Sequence, residues 1–264
     1  GWHERNGGNL TYRMREEEVA ECRPYFKEVP GEWVALGVQA DNLKGEYFIS
    51  TGSGKFLQNV GIEPQNSICI VEINDKGDSY RIVWGLENGG RPTSEFPTHF
   101  MNHSVRKRVT NGANRVIYHA HTPYVIALTY VLPLKSEVFT RMLWKSATEC
   151  CVVFPGGVGV VPWMVPGGPE IAKATCVLME KYDAAIWSFH GLFVSGPDFD
   201  TAFGLMHTIE KAAQIASIAL AANGGKAPRQ VITDDNLRDI GRDFGVKLNE
   251  EILDYKNPDE LFCD

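Results

Sequence analysis

His119-Ala-His121 closes the run Arg115-Val-Ile-Tyr-His-Ala-His121, and its two imidazoles carry the most chemically suggestive spacing in the chain. In an extended backbone side chains alternate between faces, so His119 and His121 share one face and can converge on a single ion. A metal clamp needs a third ligand; without one, the pair reads as two half-buried polar residues. Ala184-Ala-Ile-Trp-Ser-Phe-His190-Gly191 is a second apolar run that delivers an imidazole at its end, with a glycine to free the turn. A lone histidine there is more often structural, but beside His119 and His121 it is the best third partner in the chain. Three imidazoles suit Zn²⁺ and leave a coordination position open, the arrangement of a catalytic rather than a structural site.

Other residues suit proton transfer and anion binding. Arg91-Pro-Thr-Ser-Glu-Phe-Pro97 predicts the start of a helix running to about Val109, with Thr93 or Ser94 as its cap. Free N–H groups and the positive dipole end at such a start suit a phosphate held by Thr93 and Ser94, with Glu95 projecting from the first turn. The plainer account is that Ser94 caps and Glu95 favours the dipole, worth about 1 kcal/mol together. Two glycine-rich turns add to this set. Asn6-Gly-Gly-Asn9 offers two amides to an anion, although a tight turn feeding a strand is the commoner role of such a sequence. Thr51-Gly-Ser-Gly-Lys55 is not a nucleotide P-loop, because Lys55 is followed by Phe56 rather than Ser or Thr, but Ser53 can belong to a smaller phosphate cradle. His99 and His103 also have a metal spacing, yet their register with Phe96 and Phe100 and the basic helix end favours packing or surface roles. A Lewis-acidic metal, a carboxylate and phosphate-suited turns point to a small phosphorylated carbonyl or hydroxy compound, with Glu95 moving a proton.

The elements that must position these residues follow from periodicity and punctuation. Strands are predicted at Leu10–Arg13, Glu46–Ser50, Ser67–Ile73 and Tyr80–Trp84, the last two joined by the hairpin signal Asn74-Asp-Lys-Gly-Asp78. Thr122-Pro123 reads as a helix cap with proline in the first turn, which puts the His pair where a strand ends and a helix begins. Further helices are expected from Tyr124, over Glu137–Trp144, over Pro169–Lys181 with Ile171, Ala174, Val177 and Leu178 on one face, and over Asp198–Ala222. In that last helix Phe203, Met206, Ile209 and Ile215 should face a core, with Glu210 and Lys211 outside. Thr148–Phe154 reads as a strand entry, Val158–Trp163 as a strand, Thr233 as the cap of a short helix to about Phe244, and residues 247–264 as a loose acidic tail. The polar stretch from Met14 to Ala35, broken by Pro24 and Pro30, is a surface excursion without proposed ligands.

The bulk numbers bound the rest. A chain of 264 residues with 44% hydrophobic and 22% charged residues has a real core, and with no repeat or linker visible it reads as one domain. A net charge of −7, with no basic run longer than Arg106-Lys-Arg108, disfavours a nucleic-acid partner. The most apolar stretches are too short or too broken to cross a bilayer, and the six cysteines lack a paired or metal-binding spacing, so reduced thiols in the cytosol are expected.

The order of segments then resembles a known family. Gly1-Trp-His-Glu-Arg-Asn-Gly-Gly-Asn-Leu10, Thr51-Gly-Ser-Gly-Lys-Phe56, Pro92-Thr-Ser-Glu95, His119-Ala-His121, Phe139-Thr-Arg-Met-Leu-Trp144, Thr148-Glu-Cys150, Val161-Pro-Trp-Met-Val-Pro-Gly167 and Phe189-His-Gly191 are similar to segments of the zinc-dependent class II aldolases. The turn at Thr51 and the Trp163 run favour the branch acting on L-rhamnulose 1-phosphate over the fuculose-phosphate branch. The resemblance implies an α/β fold, a central, mostly antiparallel sheet flanked by helices on both sides in a three-layer sandwich. It implies one Zn²⁺ per subunit on His119, His121 and His190, Glu95 as the acid/base, and phosphate on Asn6, Asn9, Ser53, Thr93 and Ser94. It further implies a homotetramer with Glu149 reaching a neighbouring subunit's site, and reversible cleavage to dihydroxyacetone phosphate and L-lactaldehyde. The family also carries a helix ahead of the position of Gly1. A sugar-phosphate 4-epimerase and a non-catalytic adducin-like interaction module are the alternatives on the same fold.

Overall fold

Short, largely apolar runs form the strands in a computed structural model that describes residues 1–256 and 262, and several of them are buried at every position. Along the chain lie β1 (Asn9–Arg13), α1 (Glu16–Cys22), β2 (Val34–Ala35), β3 (Tyr47–Thr51), α2 (Pro64–Ser67), β4 (Ile68–Ile73), β5 (Ser79–Gly85), α3 (Phe96–Val109) and β6 (Val116–Ala120). They are followed by α4 (Pro123–Leu128), α5 (Ser136–Trp144), α6 (Cys150–Val153), β7 (Gly159–Val161), α7 (Pro169–Met179), β8 (Ala184–Trp187), β9 (Gly191–Gly196), α8 (Phe199–Ala222), α9 (Asp234–Phe244) and α10 (Glu250–Leu253). The class is mixed α/β with mostly antiparallel strand pairing, as the sequence led us to expect.

The chain divides into two compact units, the first comprising Gly1–Ala120, Val165–Glu180 and Ser195–Phe199. Its strands lie in the order β2-β5-β4-β3-β1-β6, all pairs antiparallel. The register sets Asn9 opposite His119, and Thr11 between Ser50 on one side and Ile117 on the other. In the hairpin between β4 and β5, the Asn74 side-chain oxygen accepts from the N–H groups of Gly77, Asp78 and Ser79. Gly77 there has φ +75°, and a Cβ would stand 2.8 Å from the Ala40 carbonyl oxygen, so only glycine fits without a shift. Helix α3 lays Phe96 and Phe100 into a core with Leu43, Phe48, Val71 and Ile73. Each fully buried aromatic of this kind contributes about 1.5–3 kcal/mol. Farther along α3, however, the buried residues are Thr98, His99, Asn102, His103 and Arg106.

The second unit comprises His121–Met164, Lys181–Val194 and the chain from Asp200 onward. There β7 runs parallel to β8, and β8 antiparallel to β9. Helix α5 buries Phe139, Leu143 and Trp144 together with Arg141. The Arg141 guanidinium donates two 3.0 Å hydrogen bonds to Asp234 at the start of α9, and Lys145 lies 3.1 Å from the same carboxylate. Arg141 also donates to the carbonyls of Ile252 and Leu253.

Several local expectations are corrected. Thr148–Phe154 is not a strand entry: Cys150–Val153 forms the helical turn α6, in which the Val153 N–H donates to the Glu149 carbonyl and the Phe154 N–H to the Cys150 carbonyl, both at 3.0 Å, with Cys150 and Cys151 buried. In α7 the buried face is Ile171, Ala172, Thr175 and Met179, and Val177 is exposed. In α8, Phe203 and Ile215 are exposed, while Ala202, Ala212, Ala213 and Ala216 form the buried stripe with Leu205, Met206 and Ile209. Glu210 is buried rather than outside and accepts from the N–H groups of Tyr124 and Val125 at 3.0 and 2.9 Å. The carboxylate thus satisfies orphan donors at the start of α4, and burial pushes its pKa up while these two N–H groups hold it down. Nor is the chain beyond Lys247 loose as a whole: Leu248, Ile252 and Leu253 are buried and Asn249 caps α10. Residues 257–261, 263 and 264 of that tail, including Cys263, lie outside the described residues. Among the described residues, no helix is long and apolar enough to cross a membrane.

Candidate active site

Strand β6 is buried along its whole length and brings His119 to its end, 1% exposed. Pro123 occupies the first turn of α4 and Thr122 its N-cap position, as expected, but the Thr122 hydroxyl makes no capping bond, that task falling to Glu210. His190 comes from the turn joining β8 to β9. Phe189, immediately before it, has φ +63°, a conformation that a bulky side chain adopts only at a cost of about 1–3 kcal/mol. The turn is held by the Phe189 N–H donating to the Thr129 hydroxyl and the Ser188 hydroxyl donating to the Val161 carbonyl. The rings of His121 and His190 lie 5.0 Å apart between centroids. One nitrogen from each of His119, His121 and His190 falls within 4.8 Å of the other two, a donor set that fits a divalent ion preferring imidazole.

Glu95 sits in the first unit, 8% exposed. Here the helix start is corrected: α3 begins at Phe96, and Glu95 itself is the N-cap residue, with Pro97 in the first turn. Neither Thr93 nor Ser94 is the cap. Thr93 instead accepts from the Glu95 N–H through its hydroxyl at 3.3 Å, and its own N–H donates to the Thr51 carbonyl at 2.8 Å. The Ser53 N–H donates to the Arg91 carbonyl, so the turn after β3 and the segment before α3 are laced together by their backbones. Ser53, Thr93, Ser94 and Glu95 are thereby gathered beyond the C-terminal end of β3, the same end of the sheet at which Asn9 begins the antiparallel β1. Thr93 and Asn9 are buried, Ser94 exposed, Ser53 in between. Asn6 is exposed in the preceding turn and is not joined to the others by a hydrogen bond among the described residues. Gly8 in the same turn has φ +73°, and a Cβ there would lie 2.7 Å from the His119 carbonyl oxygen.

Behind Glu95 lies a hydrogen-bonded group that includes His99 and His103, whose spacing and aromatic neighbours favoured packing or surface roles. Asn9 Nδ2 donates to Glu95 Oε2 at 2.8 Å, and Asn9 Oδ1 is hydrogen-bonded to His99 Nε2. Thr11 Oγ1 lies 2.9 Å from His99 Nδ1 and 2.8 Å from His103 Nε2. Thr11, His99 and His103 are all essentially inaccessible. The signal that could have found them was present: Asn9 and Thr11 are two apart on a strand, and His99 and His103 four apart on a helix, so each pair shares a face.

Burial holds both imidazoles well below their ordinary value of 6.5, reinforced at His99 by His103 and His119 and at His103 by Arg13. The unfolded chain therefore binds protons below about pH 6.5 that the folded chain does not. Stability from these groups is complete above that value and is lost as pH falls towards the folded values, at up to about 1.4 kcal/mol per histidine per pH unit. Urea midpoints should drop between pH 7.5 and 5.5, and drop less in His103→Gln; equal drops in both proteins would contradict the assignment.

Glu149 is exposed at the N-cap of α6 and lines a cavity of about 300 Å³ with Cys150, His207, Thr208 and Lys211. It is not part of the three-histidine group.

The profile described as the class II aldolase and adducin N-terminal domain matches residues 1–217. A rhamnulose-1-phosphate aldolase of Klebsiella pneumoniae subsp. pneumoniae is 46% identical over 254 residues, covering 96% of this chain and 91% of the relative. One from Escherichia coli O1:K1 / APEC is 47% identical over 246 residues, covering 93% of this chain and 88% of that one. Among solved structures, a sugar-phosphate aldolase from Thermotoga maritima superposes with a TM-score of 0.71 at 28% identity, covering 86% of this chain and 90% of the other.

Proposed function

The chain belongs to the class II aldolase and adducin family, and from that premise we propose that it cleaves L-rhamnulose 1-phosphate reversibly to dihydroxyacetone phosphate and L-lactaldehyde. It is a carbon–carbon lyase. The observation that carries the substrate is the 46% identity, over 96% of the chain, to a protein named rhamnulose-1-phosphate aldolase. Zinc is the proposed metal, held by His119, His121 and His190, whose clustered nitrogens support it. A bound divalent ion supplies a Lewis acid that draws electron density from carbonyl and hydroxyl oxygens.

The chain's own residues then divide the remaining work. In cleavage the bond between C3 and C4 breaks, the C4 hydroxyl loses its proton to become the aldehyde, and C3 receives one. Glu95 is the group that delivers the proton to C3, and removes it in condensation; its burial and its bond from Asn9 support a fixed acid/base. Asn6, Asn9, Ser53, Thr93 and Ser94 hold the phosphate. Asn9 retains a second amide hydrogen and Thr93 its hydroxyl hydrogen for that purpose, since each uses only one group on Glu95. Glu149, contributed to a neighbouring subunit's site in a homotetramer, serves the aldehyde oxygen; its exposure is compatible with that reach. Cytoplasmic residence completes the proposal.

The test is release of dihydroxyacetone phosphate from L-rhamnulose 1-phosphate, measured with zinc content before and after chelation. Release abolished by chelator and restored by zinc is the expected result. Bound zinc without release would replace this reading with an epimerase or another sugar phosphate, and neither zinc nor release would favour an interaction module.

A further inference from the structure

We propose that Thr11, His99 and His103 are positioning residues for the reaction, forming a one-way hydrogen-bonded brace that fixes the Glu95 carboxylate through Asn9. The inference rests on Glu95 being the acid/base. The direction of the brace follows from the capacity of each group. An ionised carboxylate only accepts, so Asn9 must turn its NH₂ towards Glu95 and its carbonyl towards His99. The amide oxygen also only accepts, so His99 carries its hydrogen on Nε2. A neutral imidazole then has a bare Nδ1, and the Thr11 hydroxyl donates to it. With its hydrogen committed, the Thr11 oxygen accepts from His103 Nε2–H. Every member has one consistent role, and each dipole in the series points its positive end at Glu95.

Such an arrangement does two things for a carboxylate that must take and return a proton. It prevents rotation of the amide that orients Oε2, because a flipped Asn9 would set its NH₂ against His99 Nε2–H and its oxygen against the carboxylate. It also stabilises the accepting state by aligned dipoles that need no rearrangement when charge develops. The setting supports this: Thr11, His99 and His103 are 0–1% exposed, so water cannot substitute for a missing member. The charged and titratable groups facing the brace are Glu95 at one end, Arg13 near His103, and His119 near His99. Five polar side chains from β1, α3 and the segment before it are thus buried where apolar ones would ordinarily stabilise more, the pattern expected of a network kept for orientation.

The experiment compares Thr11→Val with Thr11→Ser in the zinc-loaded protein. Exchange of solvent deuterium into dihydroxyacetone phosphate alone isolates the proton transfer assigned to Glu95, and kcat and KM for cleavage, zinc content and melting temperature are measured beside it. Thr11→Val is expected to lower exchange and kcat together by about 10- to 100-fold, the span for leaving a buried donor or acceptor without its partner, with KM within about twofold and zinc retained. Thr11→Ser, which keeps the hydroxyl, should stay within about threefold of the parent. Parental exchange in Thr11→Val, whatever its melting temperature, would overturn the brace. If Thr11→Val does not fold, Thr11→Ala is read by the same criteria. Glu95→Gln separates the two layers: if it exchanges at the parental rate the acid/base assignment falls, whereas an inactive Glu95→Gln beside a fully active Thr11→Val removes the brace alone.

Discussion

Glu95→Gln is expected to keep the fold and the metal and to lower cleavage by about 10²–10⁴-fold, the span for removing a positioned acid/base. The substitution is nearly isosteric, and Glu95 is not needed to cap α3 with its side chain, since no capping bond is made there. The hydrogen bond that its carboxylate accepts from Asn9 can be kept by the glutamine carbonyl oxygen. What the amide cannot do is deliver a proton to C3 in cleavage, or take it back in condensation. The loss should therefore fall on kcat, with KM for the sugar phosphate little changed, because the phosphate is assigned to other side chains. A steady-state assay with metal content measured on the same samples separates the cases: parental kcat would remove Glu95 from the reaction, and an equal fall in bound zinc would make it a structural support of the metal instead.

How far the site was legible in the sequence depends on which physical rule placed each residue. His119 and His121 were legible because two-residue periodicity on a strand is a local property, and His190 because an apolar strand followed by His-Gly announces a turn. Their convergence depended on tertiary structure, which spacing alone cannot supply. Glu95, the proposed acid/base, was placed one step too deep in the helix, since helix boundaries are set by which N–H groups find partners, and here Thr93 serves the Glu95 N–H from outside. The brace escaped because His99 and His103 share their helix with Phe96 and Phe100, and a mixed face was assigned by its aromatic members. The same preference for large apolar residues put Phe203 and Ile215 of α8 inside, where the alanines are. Glu210 and Arg141 escaped for the complementary reason: a charge is buried when a distant element presents matching donors or acceptors, and those partners lie 85 or more residues away.

His190→Ala is expected to abolish stoichiometric zinc, with an effect beyond the roughly 10–100-fold loss of affinity typical of removing only an outer partner of a ligand. Removal leaves His119 and His121, two imidazoles for an ion that takes three protein ligands in catalytic sites. His119 is buried in β6 and lies opposite Asn9, so its loss would also disturb the support of Glu95. His190 sits in the turn after β8, which keeps its shape through the Phe189 and Ser188 bonds to Thr129 and Val161, none of which uses the imidazole. The variant should accordingly melt close to the metal-free parent and lack the rise in melting temperature expected of the parent on zinc addition, since an ion bound by the folded state alone stabilises that state. Metal analysis after dialysis reads the first effect and a zinc titration of melting temperature the second. Retention of one zinc per chain would exclude His190 from the ligand set. Loss of zinc together with a collapse in melting temperature below that of the metal-free parent would mean that the imidazole holds the strained turn itself, and that the strain at Phe189 serves the fold before it serves the metal.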